Sequence, residues 1–127
     1  MAVVGSSKEI MPTKHFVSAA SINATQLAEG SAIIDHLSLI NTSLSMVYLK
    51  FCELADGDDT PDPTADDTVW VEPIPPNDGT VNGANIRNIS LALRNPGYWL
   101  TTDEDDDGDT AVGAGDVIVS MAGRWRE

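Results

Sequence analysis

The residues best suited to chemistry form one acidic run near the C-terminus. Asp103, Asp105 and Asp107 alternate and are followed by Gly108, as in the first half of a calcium-binding loop. Hard cations bind clustered oxygen atoms, and alternate residues of a tight loop point to one centre. The second half of that motif is missing, because Ala114 stands at the position where a bidentate glutamate is needed. The run therefore predicts either a calcium site or a solvated acidic hairpin, and no other cofactor is expected.

Residues that could serve as nucleophiles or bases are not grouped for catalysis. His15 and His36 fall in different predicted strands, and no Ser or Cys is spaced to complete a triad with them. Cys52 is the single cysteine and lies in an apolar alternation, which is typical of a small packing residue. The acidic residues concentrate in loops without the apolar walls that raise the pKa of a catalytic carboxyl. We therefore expect a protein that is not an enzyme.

Most of the charge lies in two stretches of the chain. There are 20 acidic and 7 basic residues, which gives a formal net charge of −13. The stretches 56–67 and 103–109 hold twelve of the acids and are rich in Gly, Pro or Thr, so both are predicted to be loops. Such an acidic surface repels phosphate backbones and anionic lipid. Neither a nucleic acid nor a membrane is therefore an expected partner.

The elements that position these residues are predicted to be short β-strands. Seven segments show apolar residues at every second position or β-branched runs, and turn residues recur between them. They span 15–21, 32–41, 45–54, 68–74, 84–93, 98–101 and 116–121. Residues 21–29 favour at most one short helical turn. The sequence thus predicts an all-β protein, a two-sheet β-sandwich of seven or eight short antiparallel strands, for which a jelly roll is one fitting arrangement.

Three regions are predicted along the chain. Residues 1–14 form an extended N-terminal arm, because Gly, Ser and Pro residues interrupt any regular element there. Residues 15–123 form the β-sandwich domain, and residues 124–127 form a basic, aromatic C-terminal tail. A partner readily orders an exposed arm, and Arg and Trp are enriched in interface hot spots. Contacts with a partner are therefore expected at Ile10, Met11, Phe16, Arg124, Trp125 and Arg126.

Four segments carry a family pattern in a fixed order. They are FVSAASINAT at 16–25, INTS with YLKF within 40–51, PIP at 73–75 and DGDTAVGAGDV at 107–117. In this order and spacing the chain resembles small virion proteins of tailed phages. The resemblance implies a β-sandwich carried on the particle, as a head decoration or cement protein. The longer acidic loops, the arm and the Arg-Trp-Arg tail depart from the family pattern.

The resemblance also implies partners and a location. The expected partner is the major capsid protein of the same particle, with the arm and one sheet edge bridging neighbouring capsid subunits. The protein would be made in the host cytoplasm, would decorate the head surface of the virion, and would be a homo-oligomer, with a trimer as the working guess. Many repeated contacts would then strengthen the shell by avidity.

An alternative function uses the aromatic residues. Trp70, Tyr98 and Trp99 could stack on a sugar ring or a protein partner, although core packing is the commoner role of such residues. With calcium bound in residues 103–109, the chain would then be an adhesin or a fibre- or tail-associated module that binds a cell-surface glycan or protein.

Overall fold

The structure, a computed structural model, describes residues 11–106 and 108–125, and only the backbone of residues 11–13. Eight strands lie in this part of the chain, and it contains no helix. Residues 25–26, where the sequence allowed a helical turn, form a short strand instead. The strands are β1 (Met11–Val17), β2 (Thr25–Gln26), β3 (Ser31–Asn41), β4 (Val47–Glu53), β5 (Trp70–Ile74), β6 (Gly83–Arg94), β7 (Pro96–Thr101) and β8 (Val117–Trp125).

The strands form two antiparallel sheets of four. Sheet A has the order β1-β8-β3-β6, and sheet B has the order β2-β7-β4-β5. The predicted all-β, two-sheet β-sandwich is therefore confirmed. Strands 1 and 8, 2 and 7, 3 and 6, and 4 and 5 are all neighbours. The chain thus folds as one long hairpin with its tip at the β4–β5 connection. The paired strands of this hairpin pass together from one sheet to the other.

The core fills the space between the sheets with alternate residues of each strand. In β4, Val47, Leu49 and Phe51 are buried on the inner face, as the alternation predicts. In β8, the Val-Ile-Val run of residues 117–119 predicts burial on both faces. Val117 and Val119 are buried, but Ile118 is only half-buried, so that prediction is wrong. The reason is that no described segment covers the outer face of sheet A.

The predicted arm and tail both overlap sheet A. β1 begins at Met11, so residues 11–14 pair with β8 rather than extending freely. A register shift between Met11 and Lys14 accommodates Pro12, which lacks the N–H of a ladder bond. β8 continues to Trp125, so Arg124 and Trp125 belong to the last strand. The sheet therefore extends from residue 11 to residue 125, beyond the predicted boundaries at 15 and 123.

A buried carboxylate closes the side of the sandwich where β5 and β6 form the edges of the two sheets. Glu72 is 1% exposed. Its Oε1 accepts a hydrogen bond from Trp70 Nε1 (2.6 Å), and its Oε2 accepts one from Asn85 Nδ2 (3.0 Å) and lies 3.5 Å from Arg87 Nη1. These donors satisfy a charge that would otherwise be costly to bury. Glu72 therefore links sheet B to sheet A.

Asn95 alone connects β6 in sheet A to β7 in sheet B. Its φ is +46°, a left-handed conformation that Asn tolerates better than most residues. Its Oδ1 accepts a hydrogen bond from the Gly30 N–H (2.6 Å), and its Nδ2 donates to Leu54 O (3.1 Å) and to Asp56 Oδ1 (2.9 Å). The side chain thus ties the β2–β3 and β4–β5 connections to this corner.

Substitution of Asn95 should separate the hydrogen bonds from the backbone conformation. We expect Asn95→Gly to lower the free energy of unfolding by about 2 kcal/mol, because buried hydrogen bonds are lost. Asn95→Ala should lower it by about 1 kcal/mol more, because Ala disfavours the left-handed conformation. Urea denaturation measures both, with the exposed Asn88→Ala as control. Equal stability of the Ala variant and the wild type would contradict the role of this corner.

Candidate functional site

The two acidic loops lie on the same side of the molecule. Residues 54–69 and 102–110, here named the acidic cap, cover the outer face of sheet B. Thr68 Oγ1 donates a hydrogen bond to Asp106 O (2.8 Å) and joins the two loops. Pro61 packs so close to Gly97 of β7 that a Cβ there would meet it at 2.7 Å. The cap is therefore packed onto the sheet and concentrates the acidic residues on one side of the sandwich.

Lys50 anchors the cap from below. Its neighbours Leu49 and Phe51 point into the core, so Lys50 points to the outer face of sheet B, where it is fully buried. Its Nζ donates to the backbone carbonyls of Asp105 and Glu104, the latter at 3.3 Å. Loop carbonyl oxygens thus solvate the buried ammonium group.

A second anchor lies beside Lys50. Trp99 Nε1, on the neighbouring strand β7, donates to Gly108 O (3.2 Å). Trp99, Cys52 and Leu54 form a small buried apolar cluster under the cap, with Ile22 and Ala24 packed against it. The central strands of sheet B, β4 and β7, are therefore buried on both faces, whereas the outer face of sheet A is uncovered.

The calcium loop predicted at residues 103–109 is closed by its own hydrogen bonds. Asp103 Oδ2 accepts from the Thr110 N–H (3.1 Å) and from Thr110 Oγ1 (2.5 Å), and the Asp105 carbonyl accepts from Lys50 and from the Gly108 N–H. Asp107 lies outside the described residues. Among the residues that are described, no group of three or more His, Cys, Asp or Glu is placed to hold a metal ion. The calcium site therefore stays a prediction, and the described hydrogen bonds are those of an acidic hairpin.

Part of the acidic cap forms an open depression of about 660 Å³. It lies where the two loops meet, and its walls are polar. Its lining residues are Pro63, Thr64, Asp66, Asp67, Thr68 and Asp106. Its carboxylates give it a strongly negative character, in keeping with a solvated surface.

The residues predicted to contact a partner have different environments. Phe16 stacks on Tyr98, with ring centroids 5.6 Å apart, and is partly buried against the core, so it contributes to the fold, while its contact with a partner stays a prediction. Trp125 is half-buried and packs against the cluster of Ala28 and Ala32. Arg124 is half-exposed, and its Nε lies 3.3 Å from Asp35 Oδ2. Ile10 and Arg126 lie outside the described residues.

The structure brings the predicted arm and tail together. Met11 pairs with Gly123, and Trp125 pairs with Ala32 near the start of β3. The start of β1 and the end of β8 therefore lie at one end of sheet A, here named the terminal end. Arg94 lies at the same end, opposite Ser31 in the β3–β6 register. Its Nη2 contacts both carboxylate oxygens of Asp56 in an ion pair. The opposite end carries the β3–β4 turn with the exposed Leu44.

The aromatic residues of the alternative function are mostly unavailable for stacking. Tyr98 and Trp99 are 1% and 0% exposed, because Tyr98 faces the core and Trp99 lies under the cap. Tyr98 and Trp99 therefore have the packing role, the commoner of the two that the sequence allowed, and are not available to stack on a sugar. Trp70 is 39% exposed, but its Nε1 already donates a hydrogen bond to Glu72 Oε1.

Cys52 behaves as the packing residue that the sequence predicts. It is fully buried, and burial together with the nearby charge of Asp66 raises the pKa of its thiol to about 12. A thiol with such a pKa stays protonated near neutral pH, and the thiolate is the nucleophilic form.

The outer surface of sheet A is a feature that the sequence interpretation missed. Val17, Ile118, Ile40 and Ala84 form one apolar row across β1, β8, β3 and β6. The next row is His15, Ser120, Ser38 and Ile86, in which Ile86 is 61% exposed. We name the surface centred on these two rows the bare face. The signal in the sequence that could have revealed the bare face is the presence of Ile40, Ile86 and Ile118 at outward positions of their strands.

No family model, curated protein or solved structure matches the chain. In the described part of the chain, no helix is long and apolar enough to cross a membrane. Three surfaces of the molecule are therefore candidates for function: the acidic cap, the bare face and the terminal end.

Removing the ammonium group of Lys50 should release the cap. Lys50→Met keeps most of the side-chain volume but leaves the Asp105 and Glu104 carbonyls without their charged donor. We expect the free energy of unfolding to fall by about 2 kcal/mol, and amide hydrogen exchange to accelerate across residues 102–110. Lys14→Met, which changes the net charge equally, is the control. Unchanged exchange in the loop would contradict an anchoring role for Lys50.

The acidic hairpin should show a pH signature at Asp103. Hydrogen bonds from the hydroxyl and N–H of Thr110 hold the pKa of the Asp103 carboxyl below its ordinary value of 3.8. A pKa depressed by folding contributes stability above the unfolded pKa, and this is lost as the pH falls through the folded value. The contribution of Asp103 should therefore be complete above about pH 4 and disappear in more acidic solution.

Thr110→Val tests this assignment by removing only the hydroxyl donor. The pKa of Asp103 should move toward 3.8 in an NMR titration of the side-chain carboxyl carbons. The pKa of Asp62, which Thr64 lowers in the other loop, should stay unchanged and serves as the internal control. An unmoved Asp103 titration would show that its carboxylate has another partner.

Proposed function

We propose that this protein is a non-enzymatic structural component of a virus particle, a decoration or cement protein that binds the major capsid protein on the outside of the head. The observation that carries the proposal is the one-sided charge of the sandwich. The acidic residues of both long loops are held over sheet B by Lys50, Trp99 and Thr68. A protein built this way can attach by another side while its acidic cap faces solvent.

The direction of the cap suits the outside of a head rather than the inside. Packaged nucleic acid presents a dense array of phosphates, and the acidic cap would be repelled by it. On the outer surface, the same charge would keep neighbouring particles apart. The cap therefore acts as a solubilising surface, and it needs neither a bound ion nor a catalytic group.

The terminal end is the surface that we assign to attachment. The predicted arm and tail meet there through the Met11–Gly123 pairing. Arg94 and Arg124 lie at this end, and Lys8 and Arg126 stand in the adjoining segments of the sequence. At this end Asp56 and Asp35 pair with Arg94 and Arg124, and Glu9 and Glu127 are next to Lys8 and Arg126 in the sequence, so charges of both signs occur there. Many copies bound to repeated capsid subunits would gain affinity through avidity.

The strand order adds general support. The pairing of strand 1 with 8, 2 with 7, 3 with 6 and 4 with 5 supports the jelly-roll arrangement allowed by the sequence. Jelly rolls occur in viral capsid domains and also in lectins, so the architecture by itself does not select the function. An adhesin would have to bind its ligand without Tyr98 and Trp99, two of its three candidate aromatic residues, because both are buried.

Deleting residues 1–10 tests attachment without disturbing β1, which starts at Met11. The shortened chain should melt at nearly the wild-type temperature but lose at least about tenfold in binding to heads stripped of this protein, because each attachment site is weakened. Leu44→Asp, at the opposite end of the sandwich, should bind like the wild type. Co-sedimentation with the heads measures binding.

Immunogold labelling of intact particles tests the location. Label spread over the head is expected. Label confined to the tail, or absent from purified particles, would contradict the proposal. Undiminished head binding by the chain that lacks residues 1–10 would remove the arm from the attachment site.

A further inference from the structure

We propose that the bare face is a self-association surface and that its occupant is the bare face of a second copy of this chain. The proposal goes beyond the decoration function, since it concerns the isolated protein in solution. The apolar row from Val17 to Ala84 crosses all four strands of sheet A. The exposed side chains of Val17 and Ile86, at 54% and 61%, project from this otherwise even surface.

The edges of the sheets are less suitable for association. β2 is only two residues long, and β5 contains Pro73. β1 contains Pro12 and a register shift. On β6, Arg87 turns inward toward Glu72, and the register against β3 is irregular. Short strands, prolines, bulges and inward charges are the features that prevent edge-to-edge pairing. Association is therefore expected face to face.

The charge distribution selects a second copy as the occupant. On the bare face the one ionic pair among described residues is Asp35 with Arg124, so a strongly charged partner would gain little there. Each copy carries a formal charge of −13, concentrated in the acidic cap. Two such molecules can approach closely only through the side that lies farthest from their caps.

Contact between the bare faces satisfies that condition. Packed sheets lie about 10 Å apart, so the two B sheets of such a dimer would lie about 30 Å apart, with the caps beyond them. The Debye length is about 8 Å at physiological ionic strength, so the two caps would be almost fully screened from each other. Contact through the caps would instead bring like charges within one Debye length.

The size of the face sets the expected strength. Four strands about 4.8 Å apart and about nine residues long give a footprint of about 19 by 30 Å. The two copies together would bury about 1,100 Å², which lies just below the range of standard stable interfaces. We therefore expect a reversible dimer with a dissociation constant in the range of about 1–100 μM. Because each copy uses the same surface, the contact is isologous and two-fold symmetric.

Sedimentation velocity of the full chain, from about 1 to about 200 μM at physiological salt, tests the proposal across the expected range of dissociation constants. The wild type should shift from monomer to dimer as its concentration rises. Ile86→Asp should weaken the dimer at least about tenfold, because it places a carboxylate in the interface of each copy. Leu44→Asp makes the same charge change on a 79% exposed side chain in the β3–β4 turn, outside the two rows, and should dimerise like the wild type.

Three results would overturn the inference: a wild type that stays monomeric throughout, an Ile86→Asp variant that dimerises normally, or a Leu44→Asp variant that is equally impaired. Thermal melting checks that each variant is folded. If the Ile86→Asp variant is unfolded, Val17→Asp repeats the test at the β1 edge of the bare face. A monomeric wild type whose Ile86→Asp variant loses head binding would assign the face to the shell instead. The sedimentation experiment contains no virus particle, so it tests the dimer alone. A failure of the proposed decoration function would be seen only in head binding and is therefore distinguishable.

Discussion

The buried ammonium group of Lys50 determines which side of the sandwich carries the acidic loops. A Lys side chain that is fully buried needs polar partners, because removing a charge from water costs several kcal/mol. The carbonyls of Glu104 and Asp105 supply them, so the loop must close over sheet B. The acidic side chains of that loop are then directed to solvent on this side. This contact, together with the Trp99–Gly108 and Thr68–Asp106 hydrogen bonds, makes the molecule two-sided, with the acidic cap over sheet B and an uncovered outer face on sheet A.

Glu72, on the neighbouring strand β5, is a buried charge of the opposite sign. Lys50 pairs with Val71 and Leu49 pairs with Glu72, so the two buried charges lie on opposite faces of sheet B. Each is satisfied separately: Lys50 by the cap, and Glu72 by Trp70, Asn85 and Arg87 at the edge between the sheets. The first fixes a loop on the outside, and the second holds the two sheets together. Two charges that look like solvent-facing residues in the sequence therefore organise the fold.

The strands were predictable because period-2 alternation is a local signal. The segments 32–41, 45–54 and 84–93 correspond closely to β3, β4 and β6. The extent of β1 and β8 was not predictable, because residues 11–14 and 124–125 are strands only through their pairing with each other and with β3.

Of the candidate site, the acidic loops were predictable from composition, but their position was not. Lys50 alternates with apolar residues and reads as exposed, and only a loop more than fifty positions away buries it. For the same reason the sequence left both stacking and packing open for Tyr98 and Trp99, because the segments that cover them are distant in the chain. The bare face was missed because its rows are formed by four strands that are far apart in the chain.

The two proposed contact surfaces constrain each other geometrically. Aligned sheets pack with their strands within about 30° of one another. A face-to-face dimer has its two-fold axis in the plane of contact, running either along the strands or across them. An axis across the strands would point the two terminal ends in opposite directions, so only one copy could reach a shell. An axis along the strands puts both terminal ends on one surface and both acidic caps at the flanks.

Such a dimer would attach at two points, and the second attachment would occur at an effective concentration in the millimolar range. A weak interface between copies is then sufficient, because attachment to a common surface would strengthen it.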